Sequence, residues 1–180
     1  MTTRKRKLLG TILFLIVVSI VVLNLGFFFE KPRGDVSHDD GSVGDTPVGV
    51  WDDQEPTVAR LDPALLTAVR EASKDAEADG ITFRVTSGWR SRAYQRKLLD
   101  EAVEKYGSPT EARRWVSTPE KSRHVVGKAI DIGPTDASYW LARYGARYGL
   151  CQVYVNEIWH YELLTVPGGT CPRMLTDGAS

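Results

Sequence analysis

The most hydrophobic part of the chain is its beginning. Leu8 to Phe29, about 22 residues, is interrupted only by Gly10, Thr11, Ser19, Asn24 and Gly26. Wound as a helix at about 1.5 Å per residue, this run reaches roughly 30 Å, the thickness of bilayer hydrocarbon. Arg4-Lys5-Arg6-Lys7 precedes it, and the exit Gly26-Phe27-Phe28-Phe29-Glu30 carries no small-residue A-x-A pattern. The expectation is an uncleaved signal anchor over 8–29, with residues 1–7 a basic cytoplasmic stub and the remainder exported; a cleaved signal peptide is the alternative.

Hydrophobic periodicity then lapses. Residues 30–60 are rich in Gly, Pro, Asp and Ser, which predicts a flexible acidic linker, with His38 a solvated linker histidine. Patterning resumes near Leu61. Asp62-Pro63 offers an N-cap followed by proline at the first helical position, and Leu65, Leu66, Val69, Ala72 and Ala76 follow at helical spacing up to Gly80. Ile81, Phe83 and Val85 alternate with Thr82, Arg84 and Thr86 and read as a strand. Ser91 to about Tyr106 reads as a helix closed by Gly107, and Ser108-Pro109-Thr110-Glu111 as a capping box opening a short helix through Trp115. A short strand over 129–133, a helix over 135–148 closed by Gly149, and strands over 150–155 and 158–164 complete the pattern. Helices and short strands mix without regular βαβ alternation. This predicts an α+β fold, a small antiparallel sheet with flanking helices, preceded by one transmembrane helix. The folded domain is expected over 61–175, with 176–180 a tail.

Charge sharpens this division. The 180 residues hold 23 Lys+Arg and 23 Asp+Glu, a net charge of zero. Residues 1–34 carry six bases and one acid, residues 35–60 seven acids and one base, and the rest 16 bases and 15 acids. The cancellation is between segments, and the near-neutral domain argues against a nucleic-acid partner. Two cysteines are too few for a disulfide-framework mini-protein or a four-cysteine metal site.

The two histidines outside the linker lie near carboxylates, in Ser122-Arg123-His124-Val125-Val126-Gly127-Lys128-Ala129-Ile130-Asp131 and in Glu157-Ile158-Trp159-His160. A catalytic zinc site needs three nitrogen or oxygen ligands and one open position, and His124, Asp131 and His160 form such a set. Strand alternation puts Ile130 and Ile132 on one face with Asp131 opposite, and Trp159, Tyr161 and Leu163 on one face with His160 opposite. If these strands pair, both ligands lie on one side of the sheet, and Gly127 permits a turn that returns His124 to it. Glu157 then falls in the loop before the strand, near the metal without binding it, where a carboxylate can act as general base. The donor set suits zinc without excluding copper or iron. From spacing alone, a metal site and a set of core or ion-paired residues both stay open.

At these residues the sequence resembles the VanY-type D-alanyl-D-alanine carboxypeptidases of the Hedgehog/DD-peptidase fold. The resemblance covers about residues 61–165 and rests on three ordered motifs: Ser87-Gly88-Trp89-Arg90-Ser91 with Gln95, then Ser122-x-His124-x-x-Gly127-x-Ala129-x-Asp131, then Glu157-x-Trp159-His160. It implies one Zn2+ per chain on His124, Asp131 and His160, with Glu157 as general base and acid. It also implies that Arg90 reaches the scissile carbonyl or the substrate carboxylate, and that Ser122, Gln95 and Ser87 contribute to substrate binding. Ile158 stands where the family often has proline, and Trp89 where it often has tyrosine, which leaves the loop at Glu157 less constrained. The implied protein is a monomeric, membrane-anchored zinc metallopeptidase of the bacterial cell membrane, its domain extracytoplasmic, that removes the C-terminal D-Ala from peptidoglycan stem peptides. A D-Ala-D-Ala dipeptidase, an L-Ala-D-Glu endopeptidase or a non-catalytic zinc-containing binding module are the other outcomes this fold allows.

Export permits a disulfide between Cys151 and Cys171, which flank the segment carrying Glu157 and His160; two separate thiols are the alternative. Closing a loop of about 20 residues stabilises on the order of 3 kcal/mol.

Overall fold

The computed structural model describes residues 37–44 and 48–180. The expected signal anchor over 8–29 and the basic stub lie outside the described residues. Among the described residues, no helix is long and apolar enough to cross a membrane.

Among the described residues, five α-helices and four strands follow in chain order: α1 (Pro56–Ala59), α2 (Pro63–Ala78), β1 (Arg84–Ser87), α3 (Arg92–Tyr106), α4 (Pro109–Ala112), β2 (Ile130–Gly133), α5 (Thr135–Tyr144), β3 (Leu150–Gln152) and β4 (His160–Leu163). Short 3₁₀ turns occupy His38–Asp40, His124–Val126 and Gly145–Tyr148. The α+β reading holds: the sheet is antiparallel throughout, with strand order β1-β2-β4-β3.

Local signals set the helix ends. The Asp62 carboxylate accepts from the backbone N–H of Ala64 at 3.0 Å and of Leu65 at 3.3 Å, with Pro63 opening α2. Ser91 caps α3 through Tyr94 N–H and Ser108 caps α4 through Glu111 N–H. The expected helix over 135–148 is α5 followed by the 3₁₀ turn, closed by Gly149. The strands are shorter than the alternation predicts, and β1 begins at Arg84 rather than Ile81.

The register explains the core. Ile130 pairs with Tyr161, Val85 with Ile132, and Leu150 with Leu163, so these side chains share one face of the sheet. Helix α2 packs against β3 and β4, and α5 against β2 and β3. The apolar stripe of α2 (Leu65, Ala68, Val69, Ala72, Ala76) closes over the buried Ile130, Ile132 and Tyr161. Polar groups in this layer are paired: Tyr161 donates to the Ser138 carbonyl at 2.6 Å, and Ser138 Oγ donates to the Ile132 carbonyl at 2.7 Å. Tyr144 and Tyr148 flank Trp140 with ring centroids at 5.0 and 6.2 Å, and Tyr148 donates to Asp75 at 2.5 Å, so the tyrosine tandem is structural.

The expected flexible linker is corrected over 48–60, because the folded unit starts well before Leu61. Val48, Val50 and Val58 are buried in the core, and Val85 donates its N–H to the Val48 carbonyl at 2.8 Å. Arg70 reaches the Val50 carbonyl at 2.9 Å and pairs with Asp53, while its guanidinium lies over the Trp51 ring. His38 is no free linker histidine either, since its Nε2 lies 2.5 Å from Glu55. Three valines among acids, glycines and prolines show no period. They are buried because they fall on the open edge of β1 and beneath α2.

Candidate functional site

The face of β2–β4 opposite the core carries the chemistry. Asp131 and His160 are register partners, so their side chains project together from adjacent strands. His124 is delivered by the 3₁₀ turn that precedes β2. The turn closes on Gly127 at φ +69°, where a Cβ would lie 2.4 Å from the Arg60 carbonyl, so only glycine is accommodated. The return of His124 to the sheet face thus occurs as the sequence predicts.

His124, Asp131 and His160 are all buried, and one ligand atom from each lies within 4.8 Å of the others. His124 Nε2 is 3.2 Å from His160 Nδ1 and 3.4 Å from Asp131 Oδ1, and His160 Nδ1 is 3.0 Å from the same oxygen. The outer nitrogens are committed elsewhere. His124 Nδ1 donates to the Gly88 carbonyl at 2.7 Å, which places the proton on Nδ1 and the lone pair of Nε2 toward the cluster. His160 Nε2 lies 3.5 Å from Glu162 Oε1, and Glu162 is held in turn by Arg123 at 2.9 Å. With both outer nitrogens protonated, three lone pairs converge on one point, and this donor set fits a divalent metal ion.

The electrostatics agree. Burial, reinforced by Arg90, pushes His124 down to about 4, so it is a neutral donor. Burial opposes charge on Asp131, but His124 and His160 outweigh it and hold its carboxyl well below the ordinary range. Burial also opposes charge on His160, yet its hydrogen bonds to Asp131 and Glu162 outweigh it and pull it up to about 9.

Glu157 lies where expected, in the turn entering β4. Its Oε2 is 3.8 Å from His160 Nδ1, and the His160 N–H donates to the Glu157 carbonyl at 3.1 Å. Burial raises its carboxyl to about 7, with Asp131 adding to the effect, which suits a proton acceptor and donor near neutrality. The turn also corrects the expected alternation. Residue 159 precedes β4, and Trp159 is 38% exposed rather than on the apolar face with Tyr161.

Arg90 follows β1 on a segment drawn tight against α1. Gly88 donates to Thr57 Oγ1 at 2.8 Å, and a Cβ at Gly88 would meet the Thr57 carbonyl at 2.1 Å. The guanidinium donates to Ser87 Oγ at 2.7 Å, to Gln95 Oε1 at 3.0 Å and to Asp131 Oδ2 at 3.2 Å, which holds it beside the cluster. Arg90, Gln95, Ser122, His124, Glu157 and His160 line one open pocket together with Trp115, Val116, Ser117, Arg123 and Tyr154. The expected substrate-binding residues divide. Gln95 is almost fully buried and spends its amide on the protein, accepting from Arg90 and from Ser122 Oγ at 3.0 Å and donating to the Ser117 carbonyl at 2.8 Å. Ser87 supports Arg90 and is absent from the pocket lining, so its expected contact with substrate is indirect.

Glu162, Arg123 and Tyr154 escape the motif reading. Glu162 was nevertheless legible, because it stands two residues after His160 on the same face of β4. Tyr154, whose ring lies 5.1 Å from that of His160, had no such signal. The disulfide between Cys151 and Cys171 is formed and bounds the segment that carries Glu157 and His160.

A D-alanyl-D-alanine carboxypeptidase of Enterococcus faecalis is 27% identical over 136 residues, 62% of this chain and 51% of that protein, so the chain spans about half the length of this curated relative. Among solved structures, a mutant of the vancomycin-resistance D,D-pentapeptidase VanY in complex with Zn(II) is 26% identical, with a TM-score of 0.56 over 59% of this chain and 74% of its own. VanYB in complex with D-Ala-D-Ala is likewise 26% identical, with a TM-score of 0.55 over 59% of this chain and 72% of its own. A model of the VanY family, D-alanyl-D-alanine carboxypeptidase, matches residues 58–165, more than half of the sequence, and the chain belongs to that family.

Proposed function

We propose that the protein is a zinc-dependent D,D-carboxypeptidase that removes the C-terminal D-Ala from peptidoglycan stem peptides. The observation that carries this reading is the convergence of His124, Asp131 and His160, with Glu157 3.8 Å from His160 yet outside the ligand set. A purely structural site has no use for a buried carboxylate poised near neutrality beside its ligands. The homologous proteins that hold Zn(II) and D-Ala-D-Ala support the choice of metal and substrate.

Zinc held by His124 Nε2, Asp131 and His160 Nδ1 would supply Lewis-acid polarisation and lower the pKa of water toward about 7. Glu157 takes the proton from the attacking water and returns it to the amine nitrogen of the departing D-Ala, so one carboxylate serves as base and then acid. Arg90 faces the negative charge that develops on the scissile carbonyl oxygen. Its three anchors keep it from reorganising as that charge appears. Ser122 lines the same pocket wall with its Oγ donating to Gln95 Oε1 at 3.0 Å, and turning that hydroxyl away from Gln95 would offer it to the substrate's terminal carboxylate.

The apolar run over 8–29 and its basic flank support a further reading: the protein is a single-pass membrane protein with its catalytic domain outside the cytoplasmic membrane, where the cell wall lies. Digestion of spheroplasts with a protease that cannot enter them should remove the domain; a fully protected domain contradicts this topology.

The decisive assay follows D-Ala release from a pentapeptide stem by the full-length protein, with and without chelator. Free D-Ala as product, lost on chelation and recovered with zinc, is expected. Release of the dipeptide or of a shortened stem instead would reassign the activity to a dipeptidase or an endopeptidase, and chelator-insensitive release would remove zinc from the mechanism.

A further inference from the structure

Beyond residue 165, where the family match ends, the chain does not trail away from the site. Cys171 is bound to Cys151 at β3, and from there residues 172–180 run back along the segment that leads into Glu157. Leu175 forms a parallel bridge with Tyr154: its N–H donates to the Val153 carbonyl at 2.9 Å, and its carbonyl accepts from Val155 N–H at 2.9 Å. Two residues later, the buried Asp177 accepts from Arg114 Nε at 2.8 Å, and Gly178 N–H donates to the Arg114 carbonyl at 3.2 Å. The same carbonyl accepts from Asn156 Nδ2 at 3.1 Å, directly before Glu157. Arg114 is thus grasped by residues 177–178 and by the loop that bears the base. The residues that follow it, Trp115, Val116 and Ser117, line the pocket with Glu157 and Tyr154.

We infer that residues 172–178 form a strap that positions Glu157, with Leu175 holding the base-bearing loop and Asp177 joining that loop, through Arg114, to the Trp115–Ser117 wall. The segment 153–157 has little regular structure of its own: β3 ends at Gln152 and β4 begins only at His160. The metal ligands sit on β2, β4 and the turn before β2, whereas the strap's hydrogen bonds go to Val153, Val155 and Arg114. It therefore governs where the base stands and not whether metal binds. Asp177 is a positioning residue in this scheme and does not reach the pocket. Misplacing a catalytic group by about 1 Å costs on the order of 100-fold in rate, so a strap of this kind has kinetic consequences.

The inference rests on the hydrolase reading above, and the test separates the two. A variant with a stop codon after Cys171 keeps the disulfide, and Asp177→Ala removes only the carboxylate. For each, zinc content, kcat and KM on a pentapeptide stem, and amide hydrogen exchange are measured well below the melting temperature. Expected are full zinc content, KM within about 3-fold, kcat lower by about 10- to 100-fold for the truncation and less for Asp177→Ala, and recovery in Asp177→Glu. Faster exchange confined to 153–157 and 114–117, with β2 and β4 unchanged, should accompany the loss. A truncated protein with wild-type kcat and wild-type exchange in these segments overturns the strap, as does a loss of kcat that merely tracks loss of zinc. If the intact protein hydrolyses no stem peptide, the hydrolase reading fails, and the exchange data still decide whether the strap holds the loop.

Discussion

The two faces of the β2–β4 pair share one backbone and have opposite chemistry. Ile130, Ile132 and Tyr161 point into the core, while Asp131, His160 and Glu162 point the other way into the site. The residues named on both faces are buried, so burial alone does not distinguish them. The core face gains stability by removing apolar surface from water. The site face sets buried charges beside one another, which is costly unless each is paired, and there Asp131 meets Arg90 and His160 while Glu162 meets Arg123. The core face makes the fold, and the site face draws on the stability it supplies.

The largest effect is expected from removing a ligand. His160→Ala should lower D-Ala release by about 10,000-fold or more and abolish stoichiometric zinc binding, read by metal analysis of the purified protein. Far-UV circular dichroism should nevertheless remain that of a folded chain, because the opposite face is intact; global unfolding would show that the faces are not separable. Next in size, Glu157→Gln should reduce kcat by about 100- to 10,000-fold with zinc retained, as judged by steady-state kinetics and metal content.

The same residue gives a pH test on stability. Burial raises Glu157 to about 7, so in the metal-free protein its contribution is fully present below the unfolded value near 4.5 and is lost as pH rises through 7. At pH 8, metal-free Glu157→Gln should therefore be more stable than the metal-free wild type by on the order of 2 kcal/mol, a difference absent at pH 4, measured by urea denaturation. From the core face, Ile132→Ala should cost about 2–5 kcal/mol in the same denaturation experiment while leaving the zinc affinity of the folded fraction unchanged. The smallest effect is expected from Glu162→Gln, which keeps the shape of the contact to His160 Nε2 and removes its charge. Zinc affinity should fall by about 10- to 100-fold in competition with a chelator dye. Unchanged affinity would mean that Glu162 serves Arg123 alone.

Much of the site was legible in the chain. Alternation around Ile130-Asp131-Ile132 and His160-Tyr161-Glu162 puts Asp131 and His160 on one face once the strands pair, the turn at Gly127 adds His124, the loop before His160 adds Glu157, and the family resemblance adds Arg90. The order of helices and strands was legible too, because caps such as Asp62, Ser91 and Ser108 act within a few residues. What escaped is non-local. Val48, Val50 and Val58 were read as linker because no period links them; their burial depends on the edge of β1 and on α2, far along the chain. Gln95 and Ser87 were read as facing substrate, and only the assembled site shows their polar groups absorbed by Arg90 and Ser122. Tyr154 and Asp177 carry no motif: Tyr154 meets His160 across an irregular loop and bridges to Leu175, and Asp177 acts through Arg114, 63 residues away.

By itself the sequence determined the apolar run and its basic flank, the capped starts of the helices, and the side of their strands on which Asp131 and His160 stand, and it offered His124, Asp131 and His160 as candidate metal donors. These follow from contacts between near neighbours and from the periods of helix and strand. Only the tertiary structure decided that Asp131 and His160 are register partners, that His124 turns back to meet them, and that residues 48–60 complete the core. It also decided that the chain beyond Cys171 returns to the loop of Glu157. Each of these needs segments distant in sequence to meet, and it is the burial of a shared apolar face, which no local pattern encodes, that brings them together.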